Sequence, residues 1–292
     1  MTYGYDASGN RTQVGTKTYS YDGRDQLMSG GGSMYAYTAR GTLSGTTTGT
    51  STVVTASDAF GQVVNQGGQT YGYDALGRVV TAAGTAAYTL SYSGQGNTVA
   101  GDGTAVYSRD PSGAVVGEKF GTAPGVLAWT DLHTDVVGQF TVTATALSGS
   151  VAYDPLGAVL STAGVTGGLG YQSEWTDRAS GPVNMLSRWY NPGTGQFDTK
   201  DTVSVPVVPN PAAGNPFAYV SDSPLLDTDP SGHCGFFDFV CSAKNVVHAV
   251  VSTAVSAYNY VSTVATAVVN DTLSIIRHQT APRRPVTRAS PR

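Results

Sequence analysis

Tyr71-Gly-Tyr73-Asp74-Ala-Leu-Gly77-Arg78-Val79-Val80 is the phrase from which the fold can be read. Tyrosines at i and i+2 put both rings on one face of a strand. Asp followed three residues later by Gly suits a type I turn, in which the carboxylate bonds the turn backbone and Gly takes a dihedral that other residues avoid. The apolar pair Val79-Val80 then begins a returning strand. Two short strands and a turn make a hairpin, and a lone hairpin of this size is marginal in water. Its neighbours must therefore pair with it edge to edge.

The phrase recurs along the chain. Tyr3-Gly-Tyr5-Asp6-Ala-Ser-Gly9, Tyr107-Ser-Arg109-Asp110-Pro111-Ser-Gly113 and Tyr153-Asp154-Pro155-Leu-Gly157-Ala-Val159-Leu160 repeat it. Degenerate copies are Tyr19-Ser-Tyr21-Asp22, Tyr35-Ala-Tyr37-Thr38-Ala-Arg-Gly41, Asp58-Ala-Phe-Gly61 and His133-Thr-Asp135-Val-Val-Gly138. Asp6, Asp22 and Thr38 stand 16 residues apart, as do Asp58 and Asp74. One Asp-x-x-Gly is any β-turn; a series of them is an internal repeat. Rows of tyrosine from successive hairpins then stabilise the sheet laterally.

Composition agrees. Charged residues are 12% of the 292, about half the usual share, and Gly, Thr, Ser, Val and Tyr replace them. A hydrophobic content of 40% supports a packed core, and a net charge of −4 argues against a body built to neutralise nucleic-acid phosphates. No phosphate loop, metal-ligand cluster or cofactor motif occurs, so no cofactor is expected. Cys234 and Cys241 are left to form one local disulfide or to stay free; His233 and His248 complete no metal spacing with them. The opening MTYGYDASGN has no basic start and no apolar stretch, so it is no signal peptide, and it begins inside a repeat. The expectation is the tail end of a longer protein, a remnant or an internal start, with any export signal upstream.

These phrases resemble the YD/RHS repeat family: bacterial RHS toxins, the C components of insecticidal Tc toxins, and animal teneurins. Gly170-Tyr171-Gln172 through Gly232 resembles the RHS repeat-associated core. Within it, Arg188-Trp189-Tyr190-Asn191-Pro192-Gly-Thr-Gly195-Gln196-Phe197 is similar to the family's Arg-Tyr-Tyr-Asp-Pro-x-x-Gly-Arg-Phe, and Asn215-Pro216-Phe217-Ala218-Tyr219-Val220 then Asp229-Pro230-Ser231-Gly232 to its closing phrase. The resemblance implies a mainly β fold, with hairpins in a continuous curved sheet forming part of a hollow β-shell. It implies a secreted or cell-surface protein that encloses or presents a C-terminal segment. Partners would be an upstream YD-repeat shell or secretion apparatus, an immunity protein or cell-surface glycans, with no specific nucleic acid.

Many bacterial members cleave themselves after the closing phrase, using an aspartate pair that shares a proton. The matching residues are Asp201 and Asp229, and the bond cut would be His233–Cys234. This chain departs from the pattern in having Lys200-Asp201-Thr202 for Arg-Asp-Pro and His233 for Leu, and both aspartates also read as ordinary turn residues. His133 reads as a repeat variant, and Ser173, Glu174 and Asp177 form no nucleophile–base signature. Three function classes follow: a structural shell fragment with its closing core, a self-cleaving aspartyl core, and an adhesion or carbohydrate-binding module.

Composition changes after the core. From Asn245 to Asn270 there is no Asp, Glu, Lys or Arg, and Val247, Val250, Val251, Ala254, Tyr258, Val261, Ala265 and Val268 recur at helical spacing. An amphipathic C-terminal helix is expected, either packed on the shell or in membrane contact over 245–276. Arg277 to Arg292 carries five arginines and three prolines without an acid, and reads as a disordered basic tail. The expected organisation is repeats at 1–165, core at 166–232, an apolar linker or cargo helix at 233–276 and the tail at 277–292.

Overall fold

The computed structural model describes residues 2–143, 146–203 and 214–233. The expected tail helix, the basic tail and both cysteines lie outside the described residues. The described part is mainly β, as the repeats predict. An eleven-stranded antiparallel meander runs from Tyr3–Tyr5 to Tyr88–Thr89, an eight-stranded one from Ser91–Tyr92 to Val159–Ala163, and a four-stranded sheet from Trp175–Thr176 to Gln196–Phe197. Strands pair with their sequence neighbours throughout, and neither long sheet closes into a barrel. The hairpin run divides at Leu90, whose amide bonds back to Val80 O at 2.9 Å while Thr89 N already bonds forward to Asp102 O at 3.3 Å.

The Asp-x-x-Gly phrase forms one turn, built repeatedly. In the turns of Asp6, Asp22, Asp58, Asp74, Asp110, Asp131 and Asp154, one carboxylate oxygen accepts the amides at i+2 and i+4, at 2.8–3.0 Å. The i+3 residue takes the left-handed place, a Gly such as Gly77 at φ +76° in most copies and Asp25 at φ +60° in the Asp22 turn. The strand register slips by one residue beside the turn, the mark of a bulge after a type I turn. At i+5 the returning strand turns inward: Leu27, Leu43, Val63, Val79, Val115 and Val136 are buried. Between these turns, at the other ends of the strands, sit two-residue Gly turns such as Gly31-Gly32.

One copy needs correction. The turn near residue 133 begins at Asp131, not Asp135: Thr134 N donates to Asp131 O at 3.1 Å, and Thr134 holds the glycine place at φ +67°. Gly138 is instead mid-strand in Val136–Thr141. The spacing misled because Thr stands where Gly is usual.

The tyrosines do more than stack. Tyr21 donates its hydroxyl to Arg11 O at 3.0 Å, Tyr73 to Val63 O at 2.7 Å and Tyr92 to Val79 O at 2.6 Å. In each case the acceptor is the i+5 residue of the preceding hairpin. Polar side chains on the turns add a second row of ties: Asn10 Nδ2 donates to Asp25, Arg40 to Asp58 O and Ala59 O, and Arg78 to Gly94 O.

Residues 166–233 sit across the rim made by the Asp turns. Asn215 Nδ2 donates to Ser8 O at 3.4 Å and Arg11 donates to Gly193 O at 2.9 Å. Lys200 N donates to Gly41 O and Leu43 N to Asp198 O, both at 2.9 Å. Gln172 N reaches Asp135 at 2.7 Å, and Tyr190 donates to Leu156 O at 2.7 Å. Below the rim Trp175 and Trp189 join Tyr71, Tyr107, Val79 and Val115 in one apolar cluster, and Tyr171, Tyr190, Tyr219 and Phe197 make another. Burying such rings is worth roughly 1.5–3 kcal/mol each.

Candidate functional site

Arg188 opens the strand Arg188–Asn191 and is 5% exposed. A buried guanidinium needs partners on every nitrogen it can orient. Nη2 stands 2.8 Å from Asp201 Oδ2 and 3.8 Å from Asp229 Oδ2. Nη1 donates to Pro216 O at 3.0 Å and Nε donates to Gly232 O. The guanidinium also lies 3.6 Å from the centre of the Phe197 ring. The two aspartates singled out in the sequence therefore do converge, through this arginine.

Their local settings differ. Asp229 is fully buried and repeats the wall's turn: Oδ1 accepts His233 N at 3.0 Å and Ser231 Oγ at 3.2 Å, with Gly232 at φ +71°. Asp201 lies in a loop, accepts Val203 N at 2.8 Å and takes His233 Nδ1 on Oδ1 at 2.8 Å. Burial pushes the Asp201 carboxyl up, but His233, Arg188 and the Val203 amide outweigh it and leave it below the usual carboxylate range. Burial likewise pulls the Arg188 guanidinium down against the opposing charges of Asp201 and Asp229. His233 is the last described residue of this segment, and Cys234 lies outside the described residues. Beside His233 opens a cavity of about 370 Å³ lined by Arg40, Phe60, Gln62, Lys200 and Arg188 among others.

Sequence reasoning located Asp201, Asp229 and His233 but missed Arg188 as their common partner. The arginine heads a quoted motif, yet nothing in its spacing tells which acids it meets. The acids of the 173–177 segment are structural ties. Ser173 Oγ donates to Thr134 O at 2.6 Å, Asn97 Nδ2 to Glu174 Oε2 at 2.8 Å, and Tyr71 and Tyr88 donate to Asp177 Oδ2 at 2.6 and 3.2 Å. Burial pushes the Glu174 carboxyl up to about 8 and those of Asp198 and Asp222 to about 7. Among the described residues no group of three or more His, Cys, Asp or Glu could hold a metal, and no helix is long and apolar enough to cross a membrane.

No family model matches the chain, and no curated protein matches it. Solved structures give matches. The crystal structure of TcdB2-TccC3-Cdc42 aligns at 14% identity with a TM-score of 0.43, over 79% of this chain and 17% of that one. That of TcdB2-TccC3 without hypervariable C-terminal region aligns at 13% and 0.39, over 79% and 17%. A variant of the Photorhabdus luminescens Tc holotoxin pore aligns at 13% and 0.37, over 79% and 11%. The chain thus spans 17% or less of the length of these matched chains.

Proposed function

We propose that residues 1–232 are a piece of β-shell wall with its closing core, from an RHS-type secreted toxin, and that they enclose or present the segment beyond His233. One observation carries this reading: the core is bonded to the Asp-turn rim from Ser8 and Arg11 through Gly41 and Asp135 to Leu156. A core bonded to these turns fixes the point at His233 from which the chain continues. Limited trypsin digestion of the full chain tests this at Arg277 and Arg283. Cleavage there is expected to accelerate when Arg188→Met or Tyr190→Phe loosens the cap. Equal rates in all three proteins would remove the containment reading. An upstream shell or secretion apparatus is the partner this reading calls for.

A second reading rests on the convergence of Asp201, Asp229 and His233 at Arg188, next to the His233–Cys234 bond. Self-cleavage would leave a fragment ending at His233, with Asp201 and Asp229 as the acids. The intact mass of the purified full chain decides it: a fragment that disappears in Asp201→Asn supports cleavage, and an uncut wild type rejects it. The exposed Trp129, 6.3 Å from Phe140 on the outer face of the second sheet, keeps glycan binding as a further outcome for an array experiment.

A further inference from the structure

We propose that His133 is a protonation latch: its imidazolium ties the wall turn of residues 131–135 to core residues 172 and 227, and loss of its proton loosens that seam. The inference concerns how the core stays on the wall, and it holds whether or not the pair encloses cargo.

The geometry gives the ring acceptors on both sides. Nδ1 is 3.3 Å from Asp135 Oδ1, within its own turn, and Nε2 is 3.3 Å from Asp227 O, in the core. A neutral imidazole carries one N–H and satisfies one of these; only the doubly protonated ring donates to both. Gln172 brings a third polar group to the ring. Its Nε2 stands 3.3 Å from His133 Nε2, and its Oε1 is buried without a hydrogen-bond partner. With its amide end turned over, Oε1 would accept from the ring N–H, and the amide nitrogen would take the buried place that Oε1 now holds.

The seam is where such a tie matters. Thr134 on the wall side, and Gln172 and Ser173 on the core side, hold φ of +67°, +52° and +57°. Left-handed backbone at non-Gly residues costs roughly 1–2 kcal/mol apiece, so surrounding contacts must hold it in place. Those contacts include Gln172 N to Asp135 Oδ1, Ser173 Oγ to Thr134 O, Val136 N to Gly170 O, Arg109 Nη2 to Ser173 O, and the His133 pair.

The ionisable groups that bear on the ring come from each packed element. Asp131 and Asp135 face it from its own turn, and Asp227 and the Tyr171 ring, 5.6 Å away, from the core. Tyr153, on a wall strand, feels the same two turn aspartates. Burial pulls the imidazole down, but the bond and charge of Asp135, then the Asp227 carbonyl and Asp131, leave it above the ordinary histidine value. A raised folded-state histidine contributes stability that is fully present below its unfolded value. That contribution is lost as pH rises through the folded value.

The test uses the full chain labelled at its four histidines. Ring-nitrogen NMR against pH should show His133 as imidazolium at pH 6.5 with a midpoint above that. Amide protection at Gln172–Glu174, taken relative to an unstructured peptide at each pH, should fall about tenfold for a midpoint raised by one unit. Protection at Leu27, in the first sheet and outside the apolar cluster that holds Val136, should hold. In His133→Gln the local pH dependence should vanish. A neutral ring at pH 6, or an equal fall in the variant, overturns the latch. Should that variant not fold, Asp135→Asn must lower the midpoint, and an unchanged midpoint overturns the proposal equally.

Discussion

The wall and the core use opposite means to hold a β structure together. In the wall, each strand pairs with its sequence neighbour and the same turn, tyrosine tie and inward i+5 residue recur. Most turn carboxylates there stay nearer the surface, as Asp74 does with Arg78, although Asp102, Glu118, Asp135 and Asp154 are buried. In the core, acids and an arginine are buried: Asp177 and Asp229 at 0%, Arg188 and Asp198 at 5%. Among the described residues, the core also carries six of the eight non-Gly residues with left-handed φ, including the β-branched Val220 at +44°. Repetition lets a wall be built from weak, interchangeable parts, whereas a cap that must fit one rim depends on single, irreplaceable contacts.

The sharpest test of this contrast is Arg188→Met. Removing the cation leaves Asp201 and Asp229 facing each other's surroundings unneutralised, at a cost of about 3–5 kcal/mol, read as a lower urea midpoint. Arg78→Met in the wall removes a comparable ion pair at a more exposed turn and should cost about 1 kcal/mol or less. Equal losses would break the comparison.

Packing should respond next. Leu27→Ala empties a position that is 1% exposed, for about 2–4 kcal/mol. Met28→Ala, one residue on and 43% exposed, should stay within about 0.5 kcal/mol.

Acidity separates the regions further. Burial holds Glu174, Asp198 and Asp222 protonated toward pH 7–8 in the folded core. The folded state then binds more protons than the unfolded one, so core stability falls as pH rises from about 4 through those values. Each group adds a slope of roughly 1 kcal/mol per pH unit inside its window. Asp198→Asn should flatten the curve between pH 5 and 7. Asp201 runs the other way: its depressed value stabilises the fold above the unfolded carboxylate range and is lost in acid. One expected effect is a gain. Thr134→Gly relieves a left-handed Thr for about 1 kcal/mol, read as a higher urea midpoint.

Much of the wall was legible in the sequence because its rules are local. Asp-x-x-Gly sets turn, bulge and facing within a few residues, and the spacing between copies repeats them. The Gly turns between those hairpins were harder to see, since Gly15-Thr16 and Gly49-Thr50 share no side-chain signature with Gly31-Gly32. The tyrosines announced a strand face, but the carbonyls they reach lie in the preceding hairpin. At the candidate site the motif order pointed to Asp201 and Asp229. Arg188, Glu174 and Asp177 escaped because their partners are far off in sequence: Asn97 lies 77 residues before Glu174, and Tyr71 106 before Asp177.

The cap's footprint on the rim has a consequence for how such a chain can change over generations. Tandem duplication is the easy way for a repeat array to lengthen, since each new hairpin brings its own neighbour contacts. Between Ser8 and Leu156, however, the cap reads particular hairpins: Gly41, Tyr71, Asn97, Asp135 and others each have an assigned partner. One extra unit in that interval would shift every later partner along by a hairpin. Growth by duplication is therefore free only outside the interval, and the cap acts as a gauge that fixes the number of hairpins inside it.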